Sequence, residues 1–284
     1  MTLTGHFLVI NPRFPRTIIL IIALAFTFWW PFRAPVTRFL FGVPPGVTLH
    51  GESVSGLTTV EVEEKVRQLA EELNQEAKNA SIDRSTGQII PEKWGVQVDI
   101  QATVNRVMSA AEGARVEPVL LDIEPEWKAQ DLKAISTVLG SFTTWMQGSS
   151  ARRYNIRLSA SFLDRTLVLP GEEFSFNALA SPYTRERGYQ DAPIIDDTGR
   201  MSPGIGGGIC QVSTTLYNAI VEAGLKLTER HRHTLRIYYV TPGKDAAVAH
   251  DKDLRFVNNR TTPVLVRVYA DEKKLTAEIL GTGN

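Results

Sequence analysis

The sequence predicts an α+β protein in three parts: an N-terminal transmembrane helix, a small α+β domain and a second α+β domain. Three observations lead there. Residues 17–32 (TIILIIALAFTFWWPF) form an apolar run without a charge. Hydrophobic spacings of helical and of alternating type then interleave along the rest of the chain. A Gly-Ser-Ser breaker at 148–150 parts those spacings into two groups. The expected organisation is a cytoplasmic tail over 1–16, an anchor over 17–40, one domain over 46–124, a connector over 125–150 and a second domain over 151–284. With 284 residues, 43% of them hydrophobic, the chain can bury the cores of two such domains.

The anchor comes first. At about 1.5 Å per residue the apolar run spans about 24 Å as a helix, just short of a ~30 Å hydrocarbon core. Trp29, Trp30 and Phe32 suit the aromatic belt at a membrane interface. The run ends in these bulky residues and lacks the small ones of a signal-peptidase site, which points to an uncleaved anchor. A short tail before one anchor places the rest of the chain outside the cytoplasm.

The next element is a helix that Thr58 or Thr59 caps, with Glu61, Glu63 and Glu64 in its first turns and Val62, Val66, Leu69 and Leu73 on one face. Residues 81–90 read as a hairpin with Gly87 near the turn, 94–100 as a strand, 103–113 as a short helix and 116–123 as a strand. Residues 131–147 read as a helical or mixed connector, and 155–161 as a helix or an extended piece. A strand at 167–169 meets the Pro170-Gly171 turn, and Phe174 and Phe176 mark another strand. Residues 211–223 form the clearest helix, with Val212, Leu216, Ala219, Ile220 and Ala223 on one face and Gly224 as its C-terminal stop. Strands are expected at 235–240, 254–257, 264–270 and 275–280.

Charge and cysteine count exclude whole classes of function. Lys+Arg and Asp+Glu both number 31, so nothing in the balance favours a nucleic acid as partner. The one cysteine permits no internal disulfide and no multi-cysteine zinc site, and the five histidines lack metal-ligand spacing. No metal and no cofactor is expected.

That cysteine, Cys210, ends the stretch Gly204-Ile205-Gly206-Gly207-Gly208-Ile209-Cys210-Gln211. A glycine run opening directly into a helix places the thiol at the helix N-terminus, where unpaired N–H groups and the positive end of the dipole favour an anion. The loop lacks Lys-Ser/Thr after it, so it is no phosphate-binding P-loop. The bases within reach are His231 and His233, one helix and a turn downstream. Asp245, Asp253 and Asn258 are candidates for a third, orienting group, and Asp245 is named with Cys210 and His233 as the catalytic set. Backbone N–H groups around Gly207, Gly208 and Gln211 are expected to hold an oxyanion, Arg255 to fork a substrate carboxylate, and Asn258 to line the site.

On these residues the chain resembles the VanW-domain family. The likeness runs over 154–281: LPGEEFSFN at 169–177, Gly188-Tyr189, GGGICQVSTTLYNA at 206–219, Glu229-Arg230, His233-Thr234, Tyr239-Val240, Gly243, Asp245-Ala246 and DLRFVNN at 253–259. The segment 46–124, through VSGLT at 54–58, resembles the peptidoglycan-binding domain that often precedes VanW domains. The resemblance implies a role in the cell envelope. It implies in particular an L,D-transpeptidase that cross-links peptidoglycan stem peptides, with the family cysteine at Cys210 and the family histidine at His233. His231 lies outside the shared pattern, and the family's His-Ser is His-Thr here. Two other functions fit the same residues. One is a non-catalytic wall-binding or envelope scaffold protein linked to glycopeptide resistance. The other is a cysteine peptidase or amidase with water as acceptor.

Overall fold

The computed structural model describes residues 38, 40–195 and 200–283. Apart from 38 and 40, the expected anchor at 17–40 lies outside the described residues. Among these, no helix is long and apolar enough to cross a membrane. The rest of the chain is α+β, as its spacing predicts, and falls into two compact units.

Unit 1 consists of residues up to 77 and residues 94–124. Strands β1 (Thr48–Leu49) and β2 (Glu52–Ser53) form a short antiparallel ribbon, which leads to α1 (Thr59–Leu73). Thr58 and Glu61 cap α1 reciprocally, and Val62, Val66 and Ala70 give it a buried stripe. The chain leaves for strands β3 (Ser81–Ile82) and β4 (Ile89–Ile90), then returns through β5 (Gly95–Val98) and α2 (Ile100–Met108). Helix α2 starts earlier than its expected 103–113 because Asp99 accepts from the Ala102 N–H at 2.9 Å. The strand expected over 116–123 is split into β6 (Arg115–Val116) and β7 (Leu120–Ile123). Pro118 between them has no N–H to extend a ladder. β6 pairs in parallel with β1, and β7 antiparallel with β5.

Unit 2 consists of residues 78–93 and 125–284. The β3–β4 hairpin belongs here, packing Ala80, Ile82 and Ile89 against Leu132, Ile135, Leu167, Leu265 and Leu280. After α3 (Ala129–Lys133) comes β8 (Thr137–Trp145). About a third of the expected connector at 125–150 is therefore strand. The Gly-Ser-Ser signal holds a helix cap: Ser149 accepts from the Arg152 N–H and opens α4 (Ser150–Leu163). Then follow β9 (Thr166–Val168), β10 (Glu173–Ser175), α5 (Phe176–Ala180), and the hairpin of β11 (Asp191–Ile195) and β12 (Met201–Ile205). The chain ends in α6 (Ile209–Glu222), β13 (Lys226–Glu229), β14 (Arg255–Val257), β15 (Val264–Ala270) and β16 (Lys274–Gly281).

An antiparallel sheet of order β8-β16-β15-β9 carries the core of unit 2. Period-2 alternation points Val264, Val266, Val268, Leu275, Ala277 and Ile279 inward. Helix α6 lies on β8 and β16 and buries Val212, Leu216, Ala219 and Ile220. Each fully buried Leu or Ile there is worth about 1.5–3 kcal/mol. The helix comes so close at Gly140 that a Cβ would stand 2.3 Å from the Ala219 carbonyl oxygen. At its end, Gly224 (φ +70°) lets the Gly224 and Leu225 N–H groups turn back to the Val221 and Ile220 carbonyls, a Schellman closure. A second sheet, β10-β14-β13, completes the unit.

Residues 235–240 form no strand. Leu235, Ile237 and Tyr239 alternate, but no neighbouring strand offers them a ladder, and this stretch belongs to a long irregular segment over 230–254.

Candidate active site

The turn that presents Cys210 is glycine by necessity. Gly208 caps α6 in the left-handed region at φ +112°, and a Cβ there would meet Ile156 Cγ1 at 2.9 Å and the Arg152 carbonyl at 3.0 Å. A Cβ on Gly207 would stand 2.5 Å from the Pro193 carbonyl of β11. The turn is thus wedged between α4 and β11, and Cys210 sits at the second helical position.

The irregular segment then runs along one face of α6 and is fixed to it residue by residue. The Cys210 thiol donates to the Val248 carbonyl, Sγ···O 3.3 Å. One turn on, Ser213 Oγ donates to the Ala246 carbonyl at 2.7 Å, and the Ala246 N–H donates to Thr214 Oγ1 at 3.0 Å. Another turn on, Asn218 Nδ2 donates to the Lys244 carbonyl at 2.8 Å. This seating brings His233 and Asp245 to Cys210. Asp245 Oδ2 accepts the backbone N–H of His233 at 2.7 Å and lies 2.9 Å from His233 Nδ1. The Cys210 side chain lies near enough to the imidazole to raise its pKa.

Two tyrosines stand near the thiol. Tyr183 donates to Asn177 Oδ1 at 2.5 Å, and Tyr239 lies beneath the Arg152 guanidinium, 5.9 Å from it to the ring centroid. Burial first, and then the proximity of Cys210, pushes the Tyr239 hydroxyl far above its ordinary range, so it stays protonated. Tyr183 is raised by burial, with smaller contributions from Tyr189 and Cys210.

Electrostatics bind the histidine to its partners. Only 7% of the His233 side chain is exposed, and this burial by itself lowers its pKa. The bonds and charges of Cys210 and Asp245 outweigh it, and the net shift is upward from 6.5. For Asp245, burial raises the pKa, while the N–H and imidazole of His233 lower it further, below 3.8.

The expected site residues divide. Cys210, His233 and Asp245 come together. His231 turns instead to Glu229 at 2.8 Å, and Asp253 holds Ser175 Oγ and the Asn177 N–H. Gly207 and Gly208 shape the turn. The other expectations need correction. The Gln211 side chain is 0% exposed, and its amide bonds Thr144, the Trp145 carbonyl and Arg152. The Gln211 backbone N–H is bound to the Gly208 carbonyl at 3.0 Å. Asn258, also 0% exposed, ties the Val168 and Thr262 carbonyls and the Arg260 N–H. Arg255 is held by Asp253, Glu173 and Glu229, three carboxylates that leave it unsuited to fork a fourth. A cation that does reach the turn is Arg152, whose stem packs against Gly208. Among the described residues, no group of three or more His, Cys, Asp or Glu could hold a metal ion.

Sequence reasoning did not single out Arg152, Tyr183 or Tyr239, nor Arg230, which binds Asp245. The Glu229-Arg230 and Tyr239-Val240 pairs of the family pattern were the available signal.

Two family models and two curated relatives match the chain. The family described as "VanW like protein" matches residues 151–280, and that described as "Putative peptidoglycan binding domain" matches 57–117. YoaR of Bacillus subtilis, named as an uncharacterized protein, is 38% identical over 208 residues, 71% of this chain and 68% of YoaR. The vancomycin B-type resistance protein VanW of Enterococcus faecalis is 26% identical over 132 residues, 44% of this chain and 48% of that protein. No solved structure matches the chain.

Proposed function

The chain belongs to the VanW-like family, with a peptidoglycan-binding-type domain before the VanW domain, and from this we propose that it is a cell-wall L,D-transpeptidase with Cys210 as nucleophile. One observation carries the reading: His233, held through Nδ1 by Asp245, stands near Cys210 at the start of α6. A buried carboxylate orienting an imidazole beside a thiol is the arrangement that activates a cysteine.

In this reading Cys210 Sγ attacks the carbonyl carbon of the third residue of a stem peptide. The thiol proton passes to His233. The new C–S bond forms, the C–N bond to the terminal D-alanine breaks, and His233 gives its proton to the departing amine. An amine of a second stem then attacks the thioester. A C–N bond replaces the C–S bond, and the amine's proton returns through His233 to the sulfur. The protonated Tyr239 hydroxyl would be the donor to the oxyanion of each step. Arg152 is the cation that would meet the carboxylate of the departing residue, the role first expected of Arg255.

Substrate chemistry also agrees with the proposed location. An anchor at 17–40 would hold the domains outside the cytoplasm, beside the wall. Incubating the purified chain with tetrapeptide stems tests the whole reading. It expects dimers, released D-alanine and an acyl-enzyme mass, all absent in Cys210→Ala. Shortened monomers would reassign the site to a peptidase. Unchanged stems would leave a wall-binding scaffold.

A further inference from the structure

The face of α6 that carries Cys210 holds one more group two turns further along. Tyr217, seven residues after Cys210, lies beneath the Arg230 guanidinium, 4.7 Å from guanidinium carbon to ring centroid. Arg230 follows β13 directly and is mostly covered, with 16% of its side chain exposed. Its Nε donates to the Asp245 carbonyl at 2.7 Å, and its Nη2 to the Gly243 carbonyl at 2.9 Å. Nη2 also reaches Asp245 Oδ1 at 3.4 Å.

The two oxygens of Asp245 are therefore divided. Oδ2 serves His233 through both its backbone and its ring, and Oδ1 faces Arg230. We propose that Arg230 is a positioning residue of the site: seated on Tyr217, it fixes the backbone and the carboxylate of Asp245 so that Oδ2 stays on the His233 ring. Without it the carboxylate is free to turn about its last bond, and two carbonyls of the 243–245 stretch lose a charged donor. The contribution lies in geometry. The downward shift at Asp245 comes from His233, whose bonds exist only while the carboxylate is held in line.

The inference rests on the reading of Cys210 and His233 as a reactive pair, and two readouts on the full chain keep the two apart. The first is the pH profile of Cys210 alkylation by iodoacetamide. The second is the titration of the His233 ring by NMR, assigned with His233→Gln. Arg230→Gln is expected to slow alkylation at neutral pH about tenfold and to lower the His233 midpoint toward that of Asp245→Asn. The double variant should be no slower than Asp245→Asn alone, and Arg230→Lys should recover part of the loss. Tyr217→Leu, which leaves the hydrogen bonds and removes only the aromatic seat, should fall between wild type and Arg230→Gln. It carries the test if Arg230→Gln does not fold.

A wild-type thiol without a His233-linked inflection would end the catalytic reading. The NMR midpoints would then decide for Arg230 by themselves. A His233 midpoint unmoved in Arg230→Gln, or effects of Arg230→Gln and Asp245→Asn that multiply in the double variant, would overturn the proposal.

Discussion

At the scale of single residues, the linked pKa shifts set a pH window. The His233 pKa is raised on folding, so its contribution to stability is complete below its ordinary value of 6.5 and is lost as pH climbs through the higher folded value. Asp245 has the opposite sign. Its pKa is lowered, so its contribution is complete above 3.8 and is lost as pH falls through the folded value. The melting temperature of unit 2 is therefore expected to be highest between those limits. His233→Gln should flatten the fall on the alkaline side, and Asp245→Asn the fall on the acid side; melting curves across pH would check both. The hydroxyl of Tyr239 makes a second prediction. If it holds the oxyanion, Tyr239→Phe lowers kcat by about 10²-fold and leaves KM nearly unchanged. A change confined to KM would place the hydroxyl on the ground-state substrate instead.

Among the elements, α6 is the one on which the others depend, because one face packs on the sheet and another guides the 230–254 segment. Gly140 of β8 marks how close that packing is. Its replacement by Ala puts a methyl into the Ala219 carbonyl and the Ala223 N–H, at 2.3 and 2.5 Å. Such overpacking against backbone is expected to cost about 1–3 kcal/mol, measurable in urea, and to slow Cys210 alkylation by lifting the helix. Helix α6 itself was plain in the sequence, since Val212, Leu216 and Ala219 repeat at helical spacing and Gly224 stops it. Strands β15 and β16 were equally plain from their alternation. The pairing of His233 with Asp245 was legible only in part. Twelve residues separate the two in sequence (233 to 245), and an irregular segment has no period that would bring them together. The false strand at 235–240 has the same origin: alternation alone cannot distinguish a strand from an irregular segment that has no partner strand. Gln211 and Asn258 misled for another reason. Polar side chains next to a site are as often its internal scaffolding as its lining, and only burial tells the two apart.

On the scale of the whole chain, unit 2 is longer than the family match at 151–280. β8 lies before that match and pairs with β16 over its entire length, from Lys274↔Trp145 to Gly281↔Thr137. A fragment of residues 151–284 would leave one edge of β16 bare, with Leu275, Ala277 and Ile279 flanked by β15 alone. It is expected to aggregate or to melt well below the full chain, and gel filtration with a melting curve would show it. A fragment as stable as the full chain would make β8 dispensable. The excursion at 78–93 has a different consequence, in the order of events during synthesis. Unit 1 is complete once residue 124 has been made, but the β3–β4 hairpin inside its stretch of sequence is not yet usable. Ile82 and Ile89 of the hairpin wait first for Leu132 and Ile135, then for Leu167, Leu265 and Leu280. A nascent chain therefore carries an early-made hairpin whose apolar partners are completed only when β16 has been made, nearly two hundred residues later.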